Sequence, residues 1–195
     1  MHLRSFLAAA ALLSASVAAH ATLITFTYSG IANGSLNGVG FTNATVTMVQ
    51  NTDTSDNFAF APGVYGNDAG TVTVTVAGLG TATILTSGFG AVAEEYSPTY
   101  ELLGFYSPAT FFGTSEQGPG GIGYNLSSTI GPVTSAIVGI NSNNSLDTSV
   151  GTLTLTRFST ASFTATTPEP SSFILLGSGL VGAFGAMRRR YSQRV

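Results

Sequence analysis

The amino-acid sequence predicts an all-β protein: a single antiparallel β-sandwich or jelly-roll-like domain set between an N-terminal signal peptide and a C-terminal apolar helix. Two observations carry the β assignment. Short runs of β-branched and aromatic residues alternate with Thr and Ser, as in TVTVTVA (71–77) and GTLTLTRF (151–158). Such alternation marks a strand with one face on a core and the other in water. Gly- and Asn-rich stretches separate these runs at about 8–12 residues, the spacing of sandwiches and barrels. A third observation agrees: no part of the central region carries a sustained helical stripe.

The elements follow in order. Thr22–Tyr28 is a first strand, with Ile24, Phe26 and Tyr28 on one face. Gly30–Gly40 reads as a Gly/Asn-rich connection, Ala44–Gln50 as a strand, and NTDTSDN (51–57) as a polar turn. Phe58–Tyr65 holds Pro62 and Gly63 and so reads as an edge or interrupted strand. Thr71–Ala77 places Val72, Val74 and Val76 inward, and a short turn joins it to Thr81–Thr86 as a hairpin. Phe89–Ala93 and Thr99–Tyr106 read as strands around the polar segment Glu94–Pro98, the second with a start that also suits a helical turn. Gly113–Gly123, with Pro119, reads as a loop, Ser135–Ile140 as a strand and Asn141–Ser149 as a polar turn. Gly151–Phe158 and Ser159–Thr166 are the last two strands.

The N-terminus, MHLRSFLAAAALLSASVAAHA, has Arg4, then an apolar core, then the small residues Ala19 and Ala21 flanking His20. This is the pattern of a secretory signal peptide over residues 1–21, cut by signal peptidase after Ala21. The domain then spans residues 22–167, within the usual size for one domain.

Composition bounds the chemistry. The precursor has six basic residues and nine acids, a net charge of −3. Only Arg157 among the cations lies between Thr22 and Pro170, against all nine acids, so that part carries −8. One cation cannot build the basic surface that phosphate binding needs, which excludes nucleic acid. There is no cysteine, and His2 and His20 both lie in the signal peptide. A serine triad and a His/Cys zinc site therefore lack their residues, and a non-enzyme is expected. The remaining carboxylate candidates are Glu94, Glu95, Glu101 and Glu116; Glu94 and Glu95, being adjacent, point to opposite faces of a strand. Calcium is the one cofactor with candidate ligands, weakly at Asp53 and Asp56 among Asn51, Ser55 and Asn57, and again at Asn143, Asn144 and Asp147. The same residues serve turns in their own backbone bonds, and position twelve from Asp53 is Val64 rather than the Glu of an EF-hand. Tyr96, Tyr100 and Tyr106 are candidates for a carbohydrate platform or for the core.

The C-terminus carries the strongest signal. Pro168, Glu169 and Pro170 precede an uncharged span, Phe173–Met187, followed by Arg188, Arg189, Arg190 and Arg194. With Ser171 and Ser172 the span reaches roughly 25 Å as a helix, near the lower limit for crossing a bilayer. Arginines directly after it favour a cytoplasmic end. On the residues alone an ordinary anchor fits as well as a processed one. The order of motif, Ser pair, Gly-rich span and arginine run, however, resembles the PEP-CTERM sorting signal of exported bacterial proteins. YNLSSTIGPV (124–133) also resembles a stretch seen in many such proteins. The resemblance implies that Pro168–Pro170 is a recognition site for exosortase, a membrane-embedded transpeptidase, within a sorting segment 168–195 with a transmembrane helix at 173–187. It implies an inner-membrane precursor, then release to the cell surface or outside, with a role in exopolysaccharide or biofilm matrix. A secreted carbohydrate-binding module, with or without calcium, is the other reading.

Overall fold

A computed structural model describes residues 22–97, 100–108, 110–117, 123–135 and 145–168. They form two antiparallel sheets, with one 3-10 turn at Thr54–Asp56 as the only helical element among them. The first sheet holds β1 (Leu23–Leu36), β2 (Val39–Asp53), β5 (Thr71–Val76), β6 (Gly80–Thr83), β10 (Ile130–Ser135), β11 (Ser145–Thr148) and β12 (Gly151–Thr166). The second runs β3 (Phe58–Ala61), β4 (Val64–Asn67), β7 (Gly90–Ser97), β8 (Tyr100–Ser107) and β9 (Thr110–Gln117), hydrogen-bonded in that order. The sandwich-like, all-β architecture agrees with the sequence.

Alternation explains the core. Ile24, Phe26 and Tyr28 on β1, Val72, Val74 and Val76 on β5, and Phe163 and Ala165 on β12 are all buried. Aromatic rings pack within the sheets, and Phe112 against Phe158 bridges the two. Phe26 stacks on Phe163, and Tyr28 meets Phe158 edge-on at 5.6 Å. Phe112 meets both Phe158 and Phe89, and Phe89 stacks on Phe105. Each fully buried phenylalanine contributes roughly 1.5–3 kcal/mol, so this cluster is a main source of cohesion between the layers.

Several boundaries differ from the sequence reading. Gly30–Gly40 is not a connection: β1 continues to Leu36, only Asn37 and Gly38 turn, and β2 starts at Val39. The glycines sit where the β1–β12 register shifts; a Cβ on Gly30 would stand 2.4 Å from the Thr160 carbonyl oxygen. They mark bulges and close approach rather than chain reversal. Glu94 and Glu95 lie inside β7, β8 is extended from Tyr100 onward, and β9 occupies 110–117, in place of the loop expected from Gly113. The last two expected strands are one, β12, while residues 145–148 of the expected turn form β11. The expected strand Ser135–Ile140 lies outside the described residues beyond Ser135, the last residue of β10.

The first sheet also closes on itself at one end. Beyond β6, Ile84 N–H donates to Val72 O, and Leu85 N–H donates to Asp147 O on β11. Ser149 N–H donates back to Thr83 O, so the ladder runs from β5 through residues 80–85 to β11 and β12. Closure removes an exposed edge that would otherwise template pairing with other chains.

Two buried tyrosines set a pH limit. Tyr28 is fully buried, with its hydroxyl donating to Gly113 O at 3.5 Å. Tyr124 donates to Ser128 O at 2.6 Å. Burial holds both phenols well above the ordinary tyrosine range, and the Glu101 carboxylate adds to the effect at Tyr124. A raised folded-state pKa contributes stability that is complete below the unfolded tyrosine value, about 10, and lost as pH rises beyond it. Chemical denaturation should therefore show a flat midpoint through mildly alkaline pH and a fall starting near about pH 10. Tyr28→Phe should make that fall shallower; an unchanged slope would contradict the assignment.

Candidate functional site

Three places in the domain bear on function. The first is the end of β12. Its last residue, Thr166, pairs with Thr25 near the start of β1, so the two ends of the domain leave side by side. Thr167 is tied to Thr129 through its amide and hydroxyl, and Pro168 follows, exposed and outside any strand. Glu169 and Pro170, the span 173–187, Arg188–Arg190, and Ala19 and Ala21 of the expected signal peptide lie outside the described residues. Among the described residues no helix is long and apolar enough to cross a membrane.

The second place is the acidic turn after β2. Asp53 accepts the Ser55 amide at 2.8 Å and caps the 3-10 turn. Asn51 accepts the Thr25 hydroxyl, and the Asn57 side-chain oxygen accepts from Asn67 Nδ2. These oxygens serve the fold's own bonds, while Asp56 is exposed. Asp147 lies on β11, and Asn143 and Asn144 lie outside the described residues. No group of three His, Cys, Asp or Glu is brought together for a metal among the described residues.

The third place is the second sheet. Its inner face holds Ala91, Ala93, Leu103, Phe105 and Phe112, all buried. In the backbone register Glu95 pairs with Glu101, and Glu101 with Glu116, a pairing across three strands that spacing alone does not reveal. Glu101 is 1 % exposed, and its Oε1 accepts the Tyr124 amide at 3.1 Å. Glu94 points to the opposite face from Glu95, as its adjacency predicts.

The outer face of this sheet differs sharply from that of the first. The first sheet turns Thr25, Thr47, Thr73 and Thr75 outward, with hydroxyl pairs such as Ser29–Thr47 and Thr75–Thr81. The second sheet turns aromatic rings outward. One row of paired residues crosses all five strands, Phe58–Gly66–Val92–Gly104–Gly113. Above this row, with the Phe60 ring over Gly66 and the Phe111 ring over Gly113, lies a groove of about 220 Å³ lined by Phe60, Val64, Val92, Glu94, Tyr106 and Phe111. Phe60 meets Phe58 at 4.6 Å and Tyr106 at 6.0 Å, both edge-on. Phe60 is 54 % exposed, an unusual position for so large an apolar ring.

Of the tyrosines considered for a carbohydrate platform, Tyr106 is in this groove; the side chains of Tyr96 and Tyr100 lie outside the description. Spacing alone does not mark Phe60, Phe111 and Glu94 as groove residues. A signal for two of the walls is present in the sequence: Gly104-Phe105-Tyr106 is mirrored by Phe111-Phe112-Gly113. The hairpin register pairs each residue with its mirror partner, so the glycines pair beneath the groove and Tyr106 pairs with Phe111 on the wall.

The described residues form an all-β domain whose last strand ends at Thr166, where a sequence signal begins. Comparison with protein-family models identifies that signal: the PEP-CTERM protein-sorting motif matches residues 166–190. The chain carries this motif, which implies recognition by exosortase and an exported, membrane-anchored precursor. Neither the curated proteins nor the solved structures gave a match to the chain.

Proposed function

We propose that the chain is a non-enzymatic surface or extracellular-matrix protein, processed by signal peptidase and exosortase and retained in exopolysaccharide or biofilm matrix. The observation that carries this reading is the junction at Thr166. There the last strand ends and the sorting motif begins, so the motif follows the folded domain with no intervening segment. The pairing of Thr25 with Thr166 supports it further, because a folded domain can hang from both membrane-directed ends at once. The non-enzymatic part is supported by the absence of His, Cys and Lys between residues 22 and 170. It is also supported by the burial of Glu101, which keeps its carboxylate from a dissolved substrate. The reading needs no cofactor, and calcium at Asp53 and Asp56 has no part in it.

Intact-mass analysis of the exported protein tests the processing. The expected product begins near Thr22 and lacks the arginine tail. Recovery of the complete C-terminus in the membrane fraction would replace sorting by a simple anchor. A second reading, a carbohydrate-binding module, is favoured by the aromatic groove on the second sheet. A glycan array separates the two, since a matrix protein held only by its processed end would give no signal.

A further inference from the structure

We propose that the groove of the second sheet binds one pyranose ring of an amino-sugar polysaccharide, with the ring on Tyr106 and Phe111 and its ammonium on Glu94. This rests on the carbohydrate-binding reading and assigns it a site and a class of sugar. Three features of the groove lead to it. Its volume, about 220 Å³, is below the roughly 300–1,000 Å³ of pockets for larger ligands, which suits a single ring. Its floor is Val92, with the Phe60 ring over Gly66 and the Phe111 ring over Gly113, so a flat ligand meets side-chain faces between the aromatic walls. Its walls combine aromatic faces with one carboxylate, Glu94, on the side opposite Tyr106.

Charge selects among occupants. Arg157 is the only cation of residues 22–170, against nine acids, and Glu94 is the charged residue of the groove. Uronate polymers, phosphates and acidic peptides are repelled by such a surface. A protonated amino sugar satisfies both halves of the site: its C–H face packs on the rings, and its ammonium pairs with the carboxylate while lying near aromatic faces that attract cations. A plain apolar partner would leave Glu94 desolvated without compensation. The aromatic walls are built into the fold, because the mirrored hairpin of β8 and β9 places Tyr106 against Phe111.

The test uses the full chain in a polyoxyethylene detergent, which carries no sugar. Titrations employ a β-1,4-linked glucosamine hexamer, its fully N-acetylated counterpart and cellohexaose. The glucosamine hexamer should bind best, more weakly as salt is raised. Glu94→Gln and Tyr106→Ala should each weaken binding about tenfold, with thermal unfolding midpoints close to that of the parent. Binding that both variants leave unchanged, or a preference for either uncharged oligomer, would overturn the site while leaving carbohydrate binding in place. No binding to any of the three, with an array equally blank, would remove the carbohydrate reading itself. Self-association abolished by Tyr106→Ala would assign the groove to a second copy of the chain and also overturn the proposal.

Discussion

Replacing Asn67 by alanine is expected to destabilise the domain by about 3–5 kcal/mol, a drop in melting temperature of roughly 8–15 °C. Asn67 ends β4 where the chain crosses from the second sheet back to the first, and it is 1 % exposed. Its side-chain oxygen accepts the Thr52 hydroxyl at 2.9 Å and the Ala69 amide at 3.2 Å. Its amide nitrogen donates to Asp53 O at 3.0 Å and to Asn57 Oδ1 at 2.7 Å. Gln50, fully buried on β2, donates to the Asn67 and Ala69 carbonyls and accepts the Ala91 amide of β7 at 2.8 Å. The network thus joins β2 of one sheet to β4 and β7 of the other. Truncating Asn67 leaves the buried Thr52 hydroxyl and three part-buried groups unpaired at once, and an unpaired buried group costs about 1–3 kcal/mol, more than the bond contributes when made. Gln50→Ala should be comparably harmful, and the double variant should cost clearly less than the sum because both remove one network. Full additivity would mean the two residues act independently.

What the sequence discloses and what it hides follow from range. Period-two alternation is local, so the residues themselves place Ile24, Phe26 and Tyr28, and the valines of β5, on the inward face. Glycine carries no such polarity of meaning. Gly30 and Gly34 look like turn residues beside Asn33 and Asn37, yet each is where β1 presses against a β12 carbonyl. That partner lies more than a hundred residues away. Gln50 looks like a polar strand end for the same reason, since its burial depends on Asn67 and Ala91. The sorting motif is legible because it is linear and acts as sequence. The groove is not, because it exists only when four strands align Gly66, Val92, Gly104 and Gly113; even the mirrored hairpin becomes informative only through its register.

The strand contact beneath the groove supplies the second large effect. Gly104→Ala is expected to cost about 3 kcal/mol or more, or to leave no cooperatively folded domain, because a Cβ there would stand 1.8 Å from the Phe112 carbonyl oxygen. That atom is backbone of the neighbouring strand, and β9 cannot retreat without withdrawing Phe112 from Phe89 and Phe158. Gly66 lies in the same row, but its added Cβ would meet the Phe60 ring at 2.4 Å, and Phe60 is a half-exposed side chain able to swing away. Gly66→Ala should therefore leave most stability intact while displacing a wall of the groove. Gly40 is the control: its Cβ would find only the Gly34 oxygen, at 3.9 Å. Gly40→Ala should be neutral or gain up to about 1 kcal/mol by restricting the unfolded chain. Denaturation of the three variants side by side checks the ordering. If Gly104→Ala proved as mild as Gly66→Ala, the close β8–β9 contact beneath the groove would be disproved.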